Sequence, residues 1–107
     1  KAPTVKTYTV VPVEGITSGE KRSYVAVDPT TGSGFLRLEM TCTKDFADGS
    51  VIANLQAEAP VPLLAVSGLA SKGSVWIPQD SREVRHSGAA TAGAKIQVTV
   101  PAFFKLS

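Results

Sequence analysis

A chain of 107 residues with 43% apolar and 19% charged residues has the composition of one globular domain and is too short for two independent cores. The formal net charge of +2 is too small to mark a nucleic-acid binder by itself, and no apolar run reaches the roughly 18 residues that a membrane span needs. The single cysteine excludes an internal disulfide. We therefore expect a single domain over residues 1–107 with no membrane partner.

The first part of the chain predicts two paired strands. Residues 5–13, VKTYTVVPV, are rich in β-branched and aromatic side chains. Pro12 favours an edge position for this strand, because proline cannot donate a hydrogen bond to a neighbouring strand. A polar loop over residues 14–21 leads to a second strand over residues 22–28, RSYVAVD, and the two strands are expected to form a hairpin.

The segment from Leu36 to Ala59 alternates apolar and polar residues on both sides of Asp48-Gly49, which predicts a hairpin that turns at this pair. Cys42 falls on the apolar face and is expected to be buried and unreactive. Ile52 falls on the outward face of the second arm. The side chains predicted to point inward are Leu36, Leu38, Met40 and Cys42 from the first arm and Val51, Ala53, Leu55, Ala57 and Ala59 from the second.

The second half of the chain gives weaker signals until its last strand. Residues 63–70 fit either a short strand or a loop packed on the core, and residues 73–79 form a short extended piece in which Trp76 would be a core or interface anchor. Residues 80–85 are expected to form a loop, or at most one helical turn. Residues 94–104 alternate again and predict a final strand. Its inward residues are Ile96, Val98 and Val100, and its outward residues are Lys95, Gln97 and Thr99.

Together these elements predict an all-β fold, an antiparallel sheet of about five to seven strands built from hairpins with no long helix. A sheet has two faces, and no helix is available to cover the apolar one. We therefore expect a second sheet or another subunit to cover it, with self-association through a strand edge or through the apolar loops.

The residues that carry enzyme chemistry are sparse. His86 is the only histidine and is interpreted as a solvated loop residue, with no second histidine or carboxylate cluster at metal-ligand spacing. A serine or threonine nucleophile would need a base within hydrogen-bond reach, and His86 is the sole candidate. We expect no enzyme activity, no metal, no cofactor and no small-molecule substrate.

The outward rows of the predicted strands carry short hydrogen-bonding side chains. A solvated sheet face would explain them, but threonine, asparagine and glutamine also bind bases and ribose, while lysine and arginine bind phosphate. Aromatic residues that would stack on bases are absent from these rows, which counts against an aromatic-sheet type of RNA-binding module. The rows are Arg37, Glu39, Thr41 and Thr43; Asn54, Gln56 and Glu58; and Lys95, Gln97 and Thr99.

The order of these pieces resembles the coat proteins of single-stranded RNA bacteriophages. The similarity lies in the N-terminal hairpin, TYTVVPV to SYVAV, the central hairpin containing MTCTK and ending in AEAP, and the late strand IQVTVPAFF. In that family an antiparallel sheet binds an RNA hairpin, and dimers assemble into an icosahedral shell. The resemblance implies an RNA-binding face formed by Thr41, Thr43, Asn54, Gln56, Lys95 and Gln97.

Two functions therefore stand ahead of catalysis. The first is a self-assembling coat protein of a virion, with other copies of itself as partners in a dimer or larger shell and with RNA on the polar sheet face. The second is a non-enzymatic β-sandwich binding module, secreted or at a cell surface, for a carbohydrate or protein ligand. The coat-protein hypothesis predicts that the six residues implied by the resemblance share one face of the sheet.

Overall fold

The computed structural model describes residues 5–19 and 21–106, and this part of the chain contains nine strands. The strands are β1 (Lys6–Pro12), β2 (Ile16–Ser18), β3 (Tyr24–Val27), β4 (Ser33–Cys42), β5 (Val51–Leu55), β6 (Val66–Leu69), β7 (Ser74–Ile77), β8 (Glu83–Ser87) and β9 (Lys95–Phe103). The described residues contain no helix that could cross a membrane. The all-β antiparallel class is confirmed, with more strands than predicted.

The strands form one curled sheet with the order β2-β4-β3-β1-β5-β8-β7-β6. β2 and β3 pair with different parts of the same edge of β4, residues 40–42 and 34–37, and β9 pairs with β4 along its opposite edge. β1 belongs to both halves of this sheet, because its first residues pair with β3 and its last residues pair with β5. We call β2, β3, β4 and β9 the front layer and β5 to β8 the back layer. Side chains from both layers form a single apolar core between them.

Regular alternation builds the front layer. Leu36, Leu38, Met40 and Cys42 are all buried, as the sequence predicts, because successive side chains of a strand point to opposite faces. β9 runs alongside β4 over its whole length, from Ser33 opposite Phe103 to Thr41 opposite Lys95. This pairing places Ile96 and Val100 in the core, and Val98 packs against it.

The curled sheet closes where β6 approaches β9. Gly68 of β6 faces the Val100 side chain so closely that a Cβ atom at position 68 would overlap it. Ser71, just after β6, donates its backbone N–H to the Gln97 carbonyl and accepts the Gln97 N–H on its hydroxyl. The two layers therefore cover each other's apolar faces within one chain. Of the two covers that the sequence predicts, a second sheet or another subunit, the fold supplies the second sheet.

The predicted hairpin from Leu36 to Ala59 is wrong. β4 pairs with β2, β3 and β9, whereas β5 pairs with β1 and β8 in the back layer. The connection between β4 and β5 crosses from one layer to the other. Gly49 does adopt the positive φ expected of the Asp-Gly pair, at +85°. Alternation shows that two strands are present, but it does not show whether they pair with each other.

Ile52 was predicted to point outward and is fully buried instead. The pairing of β5 with β8 shifts register between Val51 and Ala53, which is the signature of a β-bulge. The extra residue breaks the alternation, so that Ile52 and Ala53 both lie in the core. Further along, Ala57 is exposed although it was predicted to point inward.

Three more predictions are wrong, two of them at short strands and one at β1, which the two layers share. β1 is not an edge strand, because it pairs with β3 and then with β5, and Pro12 is its last residue. The loop predicted over residues 14–21 contains β2, and the loop predicted over residues 80–85 contains the start of β8. These short strands obtain their hydrogen-bond partners from distant parts of the chain. Local sequence patterns carry little information about such pairings.

Candidate functional site

The outer face of the front layer carries two rows of polar side chains. Thr41 lies opposite Lys95, Glu39 opposite Gln97, and Arg37 opposite Thr99 across the β4–β9 pair. Leu36, Leu38 and Met40 alternate with these residues and point into the core, so the polar side chains point to solvent. The result is a continuous polar surface along the longest strand pair of the molecule.

The structure brings together four of the six residues in the predicted RNA-binding set. Thr41, Lys95 and Gln97 lie on the polar rows, and Thr43 follows β4 as an exposed residue. Asn54 and Gln56 do not join them. Asn54 lies on β5 in the back layer, between Val11 and Glu83.

β3 and β1 separate β4 from β5, which places β4 and β5 about 14 Å apart along a curved sheet. The Gln56 side-chain amide is also engaged, because its Oε1 accepts the backbone N–H of Thr9 at 2.8 Å. The prediction that all six residues share one face is therefore wrong, because it depended on the hairpin that does not form.

Two aromatic residues that were not predicted from the sequence extend the polar rows at one end. Tyr24 lies directly opposite Arg37, and Phe35 lies opposite Pro101. The Tyr24 and Phe35 rings meet edge to face with centroids 5.9 Å apart, and both residues are partly buried. We call the outward surface formed by these two rings and the polar rows the front face; its residues are Tyr24, Phe35, Arg37, Glu39, Thr41, Lys95, Gln97 and Thr99.

A local signal could have found Phe35, because it lies two residues before Arg37 and continues the outward row. β4 begins at Ser33, three residues before Leu36, where the predicted strand begins. Tyr24 could not have been found in this way. Its position opposite Arg37 depends on the register between β3 and β4, which the sequence does not specify.

A carboxylate between two guanidinium groups organises the middle of the front face. Glu39 accepts from Arg22 Nη1 at 3.2 Å and from Arg37 Nη2 at 3.1 Å. Arg37 Nη1 also lies 3.5 Å from the Thr99 hydroxyl. All three charged side chains are partly solvated, so these ion pairs contribute little to stability. Their main effect is to hold the Arg37 guanidinium beside Glu39 and Thr99 and leave one positive charge in excess.

His86 is not the solvated loop residue that the sequence suggested. It lies on β8, and only 1% of its surface is exposed. Nδ1 lies 2.9 Å from the Gly88 carbonyl oxygen and Nε2 lies 2.6 Å from the Lys72 carbonyl oxygen. Both ring nitrogens therefore face backbone acceptors, and neither is directed at a serine or threonine hydroxyl.

Cys42 is buried at the end of the apolar row of β4, as predicted. Burial raises the pKa of its thiol above the ordinary value, because the thiolate would lose its hydration. No group of three or more histidine, cysteine, aspartate or glutamate side chains that could hold a metal ion occurs among residues 5–19 and 21–106. The front face, which combines aromatic rings, cations and hydrogen-bonding side chains, is the candidate site.

Comparison with known proteins adds no relative. The chain matches no protein-family model, no curated protein and no solved structure.

Proposed function

We propose that the chain is a non-enzymatic structural protein of the coat type, which binds single-stranded RNA on its front face and associates with further copies of itself. The observation that carries this proposal is the joint presence of partly buried aromatic rings, cations and hydrogen-bonding side chains on one sheet face. Sheets that bind single-stranded RNA stack bases on aromatic side chains and contact phosphate with cations. The resemblance to RNA phage coat proteins agrees with this chemistry.

The proposed RNA-contacting set differs from the one that the resemblance implied. Four residues remain in the set because they lie on the front face or directly beside it: Thr41, Thr43, Lys95 and Gln97. Tyr24, Phe35 and Arg37 replace the two back-layer residues, Asn54 and Gln56. In this arrangement the rings would stack on one or two bases while Lys95 and Arg37 contact phosphate. With so few cations, the affinity should fall only modestly as salt is added.

Self-association would use side chains rather than strand edges. β2 and β6 are edge strands of three and four residues, and the outer edge of β9 carries Pro101, which has no N–H to donate. An apolar patch lies beside that edge. Leu63 donates its backbone N–H to Phe103, and Leu63, Leu64 and Phe103 are 46%, 59% and 53% exposed. We propose that this patch contacts a second copy of the chain.

RNA binding is tested by measuring the fluorescence anisotropy of a labelled single-stranded RNA at low salt. The variant Tyr24→Leu with Arg37→Gln should weaken binding at least about tenfold, because it removes a stacking ring and a phosphate contact. The control Trp76→Leu with Arg85→Gln makes the same kind of change on the back layer, where Trp76 lies opposite Arg85. An equal loss in both variants, or no RNA binding by the native protein, would contradict the front-face proposal.

Self-association is tested by light scattering after size-exclusion chromatography. Leu64→Glu with Phe103→Glu should shift the native oligomer to monomer, because two charges would be buried at the proposed contact. Leu69→Glu is the matched control, because Leu69 is 86% exposed and lies in the β6–β7 hairpin away from the patch. If the native protein is a monomer at high concentration, the coat-type function is wrong.

A second candidate, a monomeric β-sandwich binding module, is favoured by one observation. The front and back layers close the core between them, so no interior apolar face requires a partner. A monomer in light scattering that retains ligand binding on the front face would select this function.

A further inference from the structure

A cleft of about 520 Å³ opens at the end of the interior, where β1 begins and β9 finishes. Tyr8 and Val27 form part of its lining, and both pack against the core. Ala59, which is fully buried, and Val61 contribute from the segment after β5. Small-molecule sites have volumes of roughly 300–1,000 Å³ and mostly apolar linings with a few convergent polar groups. The cleft has the size and the apolar surface of such a site.

Cations from three distant parts of the chain converge on this cleft. Lys6, Arg82 and Lys105 line it together with one carboxylate, Glu58, which gives the lining two positive charges in excess. In the described part of the chain neither Lys6 nor Arg82 takes part in a salt bridge, whereas Lys105 pairs with Asp80 at 2.6 Å. Among residues 5–19 and 21–106, two of the three cations thus form no ion pair.

The guanidinium of Arg82 is held against the cleft wall. Its Nε donates to the Ala59 carbonyl at 2.9 Å, which uses one of the five donors of the group. The remaining donors form a planar fork suited to a carboxylate or sulfonate. An anionic group at this position would also be attracted by Lys6, which lines the same cleft.

We propose that this cleft binds a small organic anion, with an apolar body against Tyr8, Val27 and Val61 and one carboxylate or sulfonate group against Lys6 and Arg82. The site is separate from the front face. Lys6 and Tyr8 alternate along β1 with Thr7 and Thr9, and Thr9 lies opposite Tyr24 of the front face. The proposal therefore does not depend on RNA binding or on self-association.

The probe is anilinonaphthalene sulfonate, which combines one sulfonate with an apolar aromatic body and fluoresces when it leaves water. We expect saturable binding to a single site. Lys6→Gln with Arg82→Gln should weaken the affinity about fivefold, because the two cations placed against the anionic group each contribute a modest ion-pair energy. Lys21→Gln with Lys72→Gln is the matched control, because it removes the same charge from exposed positions away from the cleft.

The location of the probe is measured by amide chemical shifts. Shifts centred on Lys6, Ala59 and Lys105 are expected, and Val61→Trp should abolish them by filling the cleft. Equal weakening in the two charge variants, or shifts centred on the patch of Leu63, Leu64 and Phe103, would overturn the proposal. Displacement of the probe by a short RNA would overturn it as well, because the cleft would then belong to a nucleic-acid path.

Discussion

The front and back layers bury similar side chains by different means. In the front layer the longest strand pair, β4 with β9, runs for nine consecutive cross-strand partners without a break in register. In the back layer the strands have four or five residues, and β5 is interrupted by a bulge. A buried His86, held by two backbone carbonyls, completes the back layer at one end.

This difference indicates where the identity of a side chain matters most for stability. A long regular pair distributes its stability over many cross-strand contacts, so single polar changes on its outer face should be tolerated. Short strands depend on particular residues that fix a bulge or a turn. Each experiment below perturbs a residue of one layer and compares it with a control.

The largest effect is expected for Gly34→Val in the front layer. A Cβ atom at position 34 would overlap the backbone carbonyl oxygen of Ala26, so β3 and β4 would have to separate. We expect a loss of at least about 4 kcal/mol in the free energy of unfolding, measured by urea titration. Gly49→Val is the control, because Gly49 has φ +85° but no neighbour within 4 Å, and strain alone should cost about 1–2 kcal/mol. Similar losses in the two variants would show that β3 and β4 can move apart.

The next effect tests the bulge in β5. Ile52→Ala removes a fully buried side chain and should lower the free energy of unfolding by about 3 kcal/mol. Val11→Ala is the comparison, because Val11 is half-exposed on the neighbouring strand and should lose less than about 0.5 kcal/mol. If Ile52→Ala costs no more than Val11→Ala, the bulge is absent and strict alternation holds in β5.

His86→Ala should cost about 2 kcal/mol, because the carbonyls of Lys72 and Gly88 lose their partner in a buried site. His86→Asn should recover part of this loss, since its side-chain amide can still donate one hydrogen bond. In His86→Ala, hydrogen exchange should also become faster at the backbone amides of residues 70–73, the turn that carries the Lys72 carbonyl. Unchanged exchange there would mean that the ring does not hold the turn.

The smallest effect concerns Cys42 at alkaline pH. Burial raises the pKa of the thiol, so the folded protein retains this proton more strongly than the unfolded chain does. The resulting stabilisation is complete below the thiol pKa of the unfolded chain and is lost as the pH rises through the folded value. Between neutral pH and about pH 10, the native protein should therefore lose more stability than Cys42→Ala does.

The same argument predicts that a thiol reagent reacts with Cys42 only after unfolding. Rapid modification in the native protein, or equal alkaline losses in the two proteins, would contradict the buried position.

Much of the front layer could be predicted from the sequence. The alternation at Leu36, Leu38, Met40 and Cys42 identified the buried face of β4, and the same pattern identified β9, because one-sided burial imposes a period of two residues. What the pattern lacked was the identity of the partners. The assumption that β4 pairs with the next strand in sequence moved Asn54 and Gln56 onto the wrong layer.

The back layer was harder to predict for physical reasons. Ile52 is buried because of a bulge that forms only when β5 pairs with β8. The sequence of β8 by itself is typical of a polar turn. His86 lies in a glycine- and alanine-rich stretch typical of loops, yet its burial follows from two carbonyls supplied by folding. The front face was found in part, because its polar rows follow alternation while Tyr24 joins them through cross-strand register.

The pairing of β4 with β9 also bears on the order of folding. All four strands of the back layer lie between these two strands in the chain. During synthesis β4 therefore leaves the ribosome with its β9-facing edge open, and it must remain so until the back layer has been made. Loop closure over such a distance is slow. We expect refolding to be limited by the docking of β9, with the exposed edge of β4 as the point at which an incomplete chain aggregates.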